Sequence, residues 1–270
     1  MSISAAPQGP PRQEVPPSTL RGFAALFVAG GIAGVLVGGI GGRIAMRIAA
    51  LTARDAAQGL TTEAGATIGR FTFEGTAFLV VVVGIGSALI GTAFYLATLP
   101  WLPRRRRWRA AAFGGLELAV FGTVLLDPGN ADFTILGRPL LDVLVLGSLF
   151  VLHGVALVML VEPSGRLVSS VAQGDRWRAR SVAVVTFVAM ALTALGAVAL
   201  VARANGWAAP MTLVLLLCGA GLLLLDRQGT DRRRTRPITR PALRITGAIA
   251  LGVLTISGAT GLVDAVTTIV

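Results

Sequence analysis

The sequence contains no lysine; all 24 of its basic residues are arginine. That absence removes every mechanism that needs a lysine amine, from Schiff bases with retinal or pyridoxal to the Walker-A phosphate loop. A single cysteine, Cys218, excludes an intrachain disulfide and any CxxC pair. A single histidine, His153, excludes multi-histidine metal sites and HExxH chemistry. No GxSxG, no intramembrane GxGD and no strand-to-helix glycine loop is present. No catalytic set, cofactor or metal is therefore expected, and an enzyme is the least favoured class. Charge is scarce as well. Only 14% of the 270 residues are charged, against about 25% in a soluble domain.

What fills the chain is apolar. Hydrophobic residues make up 54% of it, and the mean hydropathy is +0.77. A spanning helix needs about 20 predominantly apolar residues. Seven stretches qualify, approximately 22–42, 76–99, 110–126, 140–161, 181–202, 208–225 and 245–268. The fold class expected is all-α, a polytopic transmembrane bundle of about seven spans over 21–270. Residues 1–20 are proline-rich and polar, too poor in apolar side chains to fold alone, and read as a disordered tail. No short hydrophobic region with a small-residue cleavage site stands before the first span, which reads as an uncleaved anchor.

Orientation follows from arginine. The tail and the 100–109, 162–180 and 226–244 connections hold eighteen arginines, and the opposite side holds six. Positive charge stays on the cytoplasmic side. This predicts a plasma-membrane protein with its amino terminus in the cytoplasm and its carboxyl terminus outside. Trp101, Trp108 and Trp177 then fall at inner span ends and Trp207 at an outer one, where amphipathic rings anchor. The formal charge of +11 reads as contact with anionic lipid headgroups at the arginine clusters. The loops are too short to form a basic domain for nucleic acid.

The first span carries GGIAGVLVGGIGG, with Gly30, Gly34, Gly38 and Gly42 four residues apart. Helices in lipid associate through close backbone approach, which small residues permit. This face fits a homodimer or a membrane-protein partner, or another helix of the same bundle. Ser87/Gly91 and Ser257/Gly261 repeat the pattern on a smaller scale. Phe71-Thr72-x-x-Gly75 and Phe133-Thr134-x-x-Gly137, each leading into a span, form a short internal echo consistent with a duplicated hairpin or with chance.

Ionisable residues within spans are costly and mark functional candidates. Glu117 lies seven residues from the inner end of the third span, and His153 eight from the inner end of the fourth. Their matching depth predicts an imidazole–carboxylate pair, serving either a proton path or a structural lock. Asp142 lies eleven residues before His153, on nearly the same helix face. At the outer ends of the first and seventh spans stand Arg43, Arg47 and Asp264. With Asp142 they form a candidate outer-face site for an anionic headgroup or solute, or a set of snorkelling interface charges.

The stretches GGRIAMRIAALTARD at 41–55, GATIGRFTFEGT at 65–76 and ADFTILGRPLLDVLVL at 131–146 resemble uncharacterised multi-pass membrane proteins of high-GC actinobacteria. The likeness covers roughly the first four spans. It implies a plasma-membrane location with an outer 43–75 segment and draws interest to Arg43, Arg47, Arg70 and Phe71. It supplies no activity. The function expected is small-solute or lipid handling at an outer-facing site. The alternatives are a proton-coupled transporter using Glu117 and His153, and a non-catalytic scaffold or partner subunit packing through the Gly30–Gly42 face.

Overall fold

The computed structural model describes residues 18–53, 55–61, 68, 72–172, 176–203, 208–227 and 239–270. Among them the regular structure is helical and no strand occurs. Backbone in lipid must satisfy its polar groups within each segment, and a helix does so at every turn. Seven long helices result: α1 (Leu20–Thr52), α2 (Phe73–Trp101), α3 (Arg106–Leu125), α4 (Pro139–Ala172), α5 (Arg176–Arg203), α6 (Ala208–Arg227) and α7 (Thr239–Ile269). Five of them, α1 to α4 and α7, are long and apolar enough to cross a membrane. Helix α6 contains a shorter apolar stretch, Pro210–Leu222. The chain is an all-α bundle and, by length and composition, a multi-pass membrane protein. The expected tail lies outside the described residues, apart from its last three positions. Arg54, Arg70, Phe71 and Trp207, and most of the 226–241 connection, also lie outside them.

The helices overrun the expected spans, α1 and α4 by most, and α4 shows how. Its 34 residues reach roughly 50 Å, well beyond an apolar core of about 30 Å. Hydropathy ends it at 161, before Glu162 and Pro163. The helix continues because Ser164, Val168 and Ala172 remain buried at four-residue spacing. Pro163 has no N–H to offer the Met159 carbonyl. Arg106 of α3 fills the gap by donating from Nη2 to that oxygen, while its Nη1 meets Glu162 Oε2 at 2.9 Å.

Helix α4 is central. It packs most extensively against α3 and then against α1. Helix α1 also lies along α2, and α7 packs on α6 and α3. The core between them gathers Phe94 and Tyr95 from α2, Phe113 from α3, Leu157 and Val158 from α4, Leu215 from α6 and Leu254 from α7. Tyr95 and Phe113 meet edge to face at 5.0 Å, as do Phe94 and Phe121 at 5.1 Å.

The α1–α2 seam is wound differently from the rest. Gly34–Gly41 in α1 and Leu79–Gly84 in α2 are π-helical turns that pack against each other. A Cβ at Gly34 would press on the Gly84 carbonyl, and one at Gly30 on Thr92 Oγ1. At Gly38 it would lie 2.7 Å from Ser87 Oγ, and at Gly39 3.0 Å from Val80 Cα. At Gly42 it would meet only Leu79 Cδ2, at an ordinary 3.9 Å. An i→i+5 turn holds one residue more than an α turn, so the close face passes from Gly38 toward Gly39 and leaves Gly42 aside. The glycine face of α1 is thus covered, from Gly30 to Gly39, by α2 of the same chain.

The two halves of the Phe-Thr-x-x-Gly echo do different work. Thr72 caps the start of α2, its Oγ1 accepting from Gly75 N at 3.2 Å. Gly137 instead ends a one-turn helix, Asp132–Leu136, with φ +73°.

A buried carboxylate–imidazole pair walled by three glycines

The loop between α3 and α4 sets how the two helices face each other. Asp127 Oδ1 accepts from Gly129 N at 2.9 Å, and Asn130 Oδ1 from Asp132 N at 2.8 Å, making two successive side-chain turns. Phe133 of the one-turn helix is buried against Leu126 and Val143, and the left-handed Gly137 then aims the chain into α4 at Pro139. The helices return antiparallel, so residues at equal depth come to one level.

Glu117 and His153 meet there. His153 Nδ1 lies 2.9 Å from Glu117 Oε2 and 3.1 Å from Oε1. The residues are 2% and 6% exposed. Close approach of α3 and α4 depends on Gly114, one helical turn before Glu117, and Gly154, next to His153. A Cβ at Gly154 would lie 2.6 Å from Gly114 Cα and 3.0 Å from Glu117 Oε2. A Cβ at Gly114 would lie 2.6 Å from the Val151 carbonyl. The third wall comes from α2. A Cβ at Gly91 would sit 2.8 Å from Glu117 Oε1 and 3.2 Å from His153 Nδ1, with the ring's Cε1 closer still. Gly114 and Gly154 are additions to the sequence reading, and so is Gly258 of α7, which abuts the Ala119 carbonyl of α3. Their signal is a glycine next to His153, one a helical turn from Glu117, and one next to Ser257.

The chemistry open to the pair is proton storage. A carboxyl and an imidazole together hold zero, one or two protons, at net charge −1, 0 or +1. With one proton the pair is neutral, as imidazolium and carboxylate or as imidazole and carboxylic acid. His153 Nε2, on the far side of the ring, is buried without a hydrogen-bond partner, and so is Thr92 Oγ1 of α2. Among the described residues no three His, Cys, Asp or Glu gather as the ligands of a metal would.

The residues expected to form an outer-face site are spread over the bundle. Arg43 is half-buried on α1, its guanidinium reaching toward Gly75 of α2. Arg47 is exposed one turn on. Asp142 is buried in the first turn of α4, its Oδ2 without a partner. Asp264 is exposed on α7, whose principal neighbours are α6 and α3 rather than α1. Neither Arg47 nor Asp264 forms an ion pair among the described residues. Of the tryptophans expected at interfaces, Trp108 and Trp177 are exposed, and Trp101 donates from Nε1 to the Arg244 carbonyl at 3.0 Å. No family model, curated protein or solved structure matches this chain, so a reading of its function rests on these residues alone.

Proposed function

We propose that the protein is a proton-linked carrier of a small solute or lipid in the plasma membrane, with Glu117 and His153 as its proton-holding pair. One observation carries the reading: the two ionisable side chains meet, almost fully buried, where α2, α3 and α4 converge. An acidic residue at the centre of a span costs about 2.5–3.5 kcal/mol on the insertion scale. Packing alone does not call for that cost here, because Gly114 and Gly154 already bring the two helices together. A titratable pair at a three-helix junction is what proton-linked movement requires. The outer-facing reading has less support, since Asp264 stands apart from Arg43 and Arg47. Dimerisation through the Gly30–Gly42 face also has less, since α2 occupies most of that face.

The test is proton flux. Protein reconstituted in vesicles with an internal pH dye, driven by a potassium–valinomycin potential and supplied with a small-metabolite extract, should take up protons faster than empty vesicles. Folded Glu117→Gln should fall to the empty-vesicle rate. Wild-type flux equal to that of empty vesicles, or unchanged flux in Glu117→Gln, overturns the carrier. The orientation belongs to the same reading, amino terminus inside and carboxyl terminus outside. In a Cys218→Ser background, cysteines placed in 127–139 should react with an impermeant thiol reagent on intact cells, and those in 226–244 should not. The reverse pattern overturns it.

A further inference from the structure

The pair is not isolated from the deformable part of the bundle. Gly91, which touches both partners, belongs to the regular helical stretch Ile85–Thr98. That stretch begins directly after the π-helical turns Leu79–Gly84, which themselves rest on the π-helical turns Gly34–Gly41 of α1. A turn with an i→i+5 bond carries one residue more than an α turn and can pass that residue along, shifting the helix beyond it. Facing glycines leave few side chains to interlock and oppose such a shift. By contrast, α3 is regular throughout, and α4 is bound to it by Glu117–His153 and by Arg106. Helix α2 meets them through packing, with Phe94 and Tyr95 on Phe121 and Phe113, so a change in the size or direction of the pair falls first on the side of Gly91.

We propose that Gly91 is the positioning residue through which the proton state of the Glu117–His153 pair sets the position of α2, with the two facing π-helical segments as the joint that yields. The proposal rests on the pair being proton-holding, and extends it by naming the part that moves. When the proton content of the pair changes, or its close contact is lost, the carboxyl group and ring reorient against Gly91. The Ile85–Thr98 stretch gives way as a unit and slides along α1. Glycine is required at 91 because any Cβ there meets both partners.

Spin labels at Ile90 and Leu152, both on outward faces of α2 and α4, report that motion in a Cys218→Ser background. Glu117→Gln, which removes the titratable carboxyl group at nearly constant shape, should shift the interlabel distance by about 1.5 Å, the rise of one residue. Identical distance distributions in wild type and Glu117→Gln overturn the proposal. Deleting Val82 removes one residue from the π-helical segment and should abolish the shift; a shift that persists overturns the joint. Should that variant fail to fold, amide hydrogen exchange in wild type and Glu117→Gln decides. Changes confined to 34–41 and 79–84 support the joint, and unchanged exchange there overturns it. His153 is the sole histidine, so ¹⁵N-histidine labelling gives one imidazole signature. Gly91→Ala should alter it, and an unaltered signature in folded Gly91→Ala overturns the positioning role. A distance shift without wild-type proton flux would sink the carrier and keep the coupling. Flux lost in Glu117→Gln without a distance shift would do the opposite.

Discussion

Between α1 and α2, glycines meet over paired π-helical turns, and the nearest side-chain polar groups are the hydroxyls of Thr92 and Ser87. Between α3 and α4, glycines meet over regular α-helix, and the seam closes on a buried carboxylate and imidazole. Both seams use the close approach that substitutes for hydrophobic drive in lipid. They differ in what fixes their register. Close glycine packing runs along the first from Gly30 to Gly39, and small contacts can be exchanged for equivalent ones a residue away. The second has one arrangement in which Glu117 finds His153, and a slip would strand two polar groups. A buried polar lock therefore makes a glycine seam specific, and a stretch of small contacts leaves a seam able to shift.

The comparison breaks most readily under overpacking, where the largest effects are expected. Gly154→Leu would drive a side chain into the Gly114 backbone and the Glu117 carboxylate. Overpacking costs about 1–3 kcal/mol and occasionally more, and here it also opens the polar contact. Gly154→Leu should fail to give a monodisperse peak in detergent. Gly34→Leu meets the Gly84 carbonyl, but within turns that can adjust, and should lower the melting temperature while leaving a folded protein of unchanged oligomeric state. Equal loss in both variants would erase the distinction between the seams. A stable Gly34→Leu that converts from dimer to monomer would move that face to a subunit interface.

The next effect in size is the pair itself. Glu117→Gln and His153→Ala each leave a buried polar group with a poorer partner, at about 1–3 kcal/mol. The double variant should lose less than the sum, because contacting residues couple by about 0.5–3 kcal/mol. Denaturant melts of all four proteins measure the cycle. Additive losses would mean that the Glu117–His153 contact contributes nothing and that, at this level, α3 and α4 are held by their glycines.

Several of these features are legible in the sequence, and the ones that are not have definite physical causes. Hydropathy marks seven segments because each must supply apolar length, and counting inward from the arginine-rich ends places Glu117 and His153 at one depth. Depth does not say which helices are neighbours. Arg43, Arg47 and Asp264 share a level in the sequence reading, yet α1 packs on α2 and α4 while α7 packs on α6 and α3. Helix ends are missed because helices continue past lipid on polar residues, as α4 does through Pro163 with help from Arg106. The π-helical turns leave no compositional trace beyond glycine, since a hydrogen-bond register is not a side-chain property. That register is also why Gly39 joins the close face and Gly42 does not.

The smallest effects are expected at the arginine-bearing ends of α3 and α4, where the same charge chemistry meets water. The side chains of Arg106 and Glu162 are 48% and 55% exposed, and Arg166 joins Glu162 at 2.6 Å. Exposed pairs contribute little, because water screens them and two long side chains must be ordered to form them. Glu162→Gln should leave the melting temperature within scatter of wild type at moderate salt. Arg106→Ala should cost more, although it removes a charge from the same cluster, because it also takes the donor from the Met159 carbonyl that Pro163 leaves open. Melting curves at low and high salt separate the two contributions. Salt should shrink any loss in Glu162→Gln and leave most of the loss in Arg106→Ala, since the carbonyl still lacks a partner. Equal, salt-sensitive losses in both would show that Arg106 acts only as a counter-charge. The Pro163 gap would then be satisfied by water, and the lock between α3 and α4 would rest on the buried pair and its glycines alone.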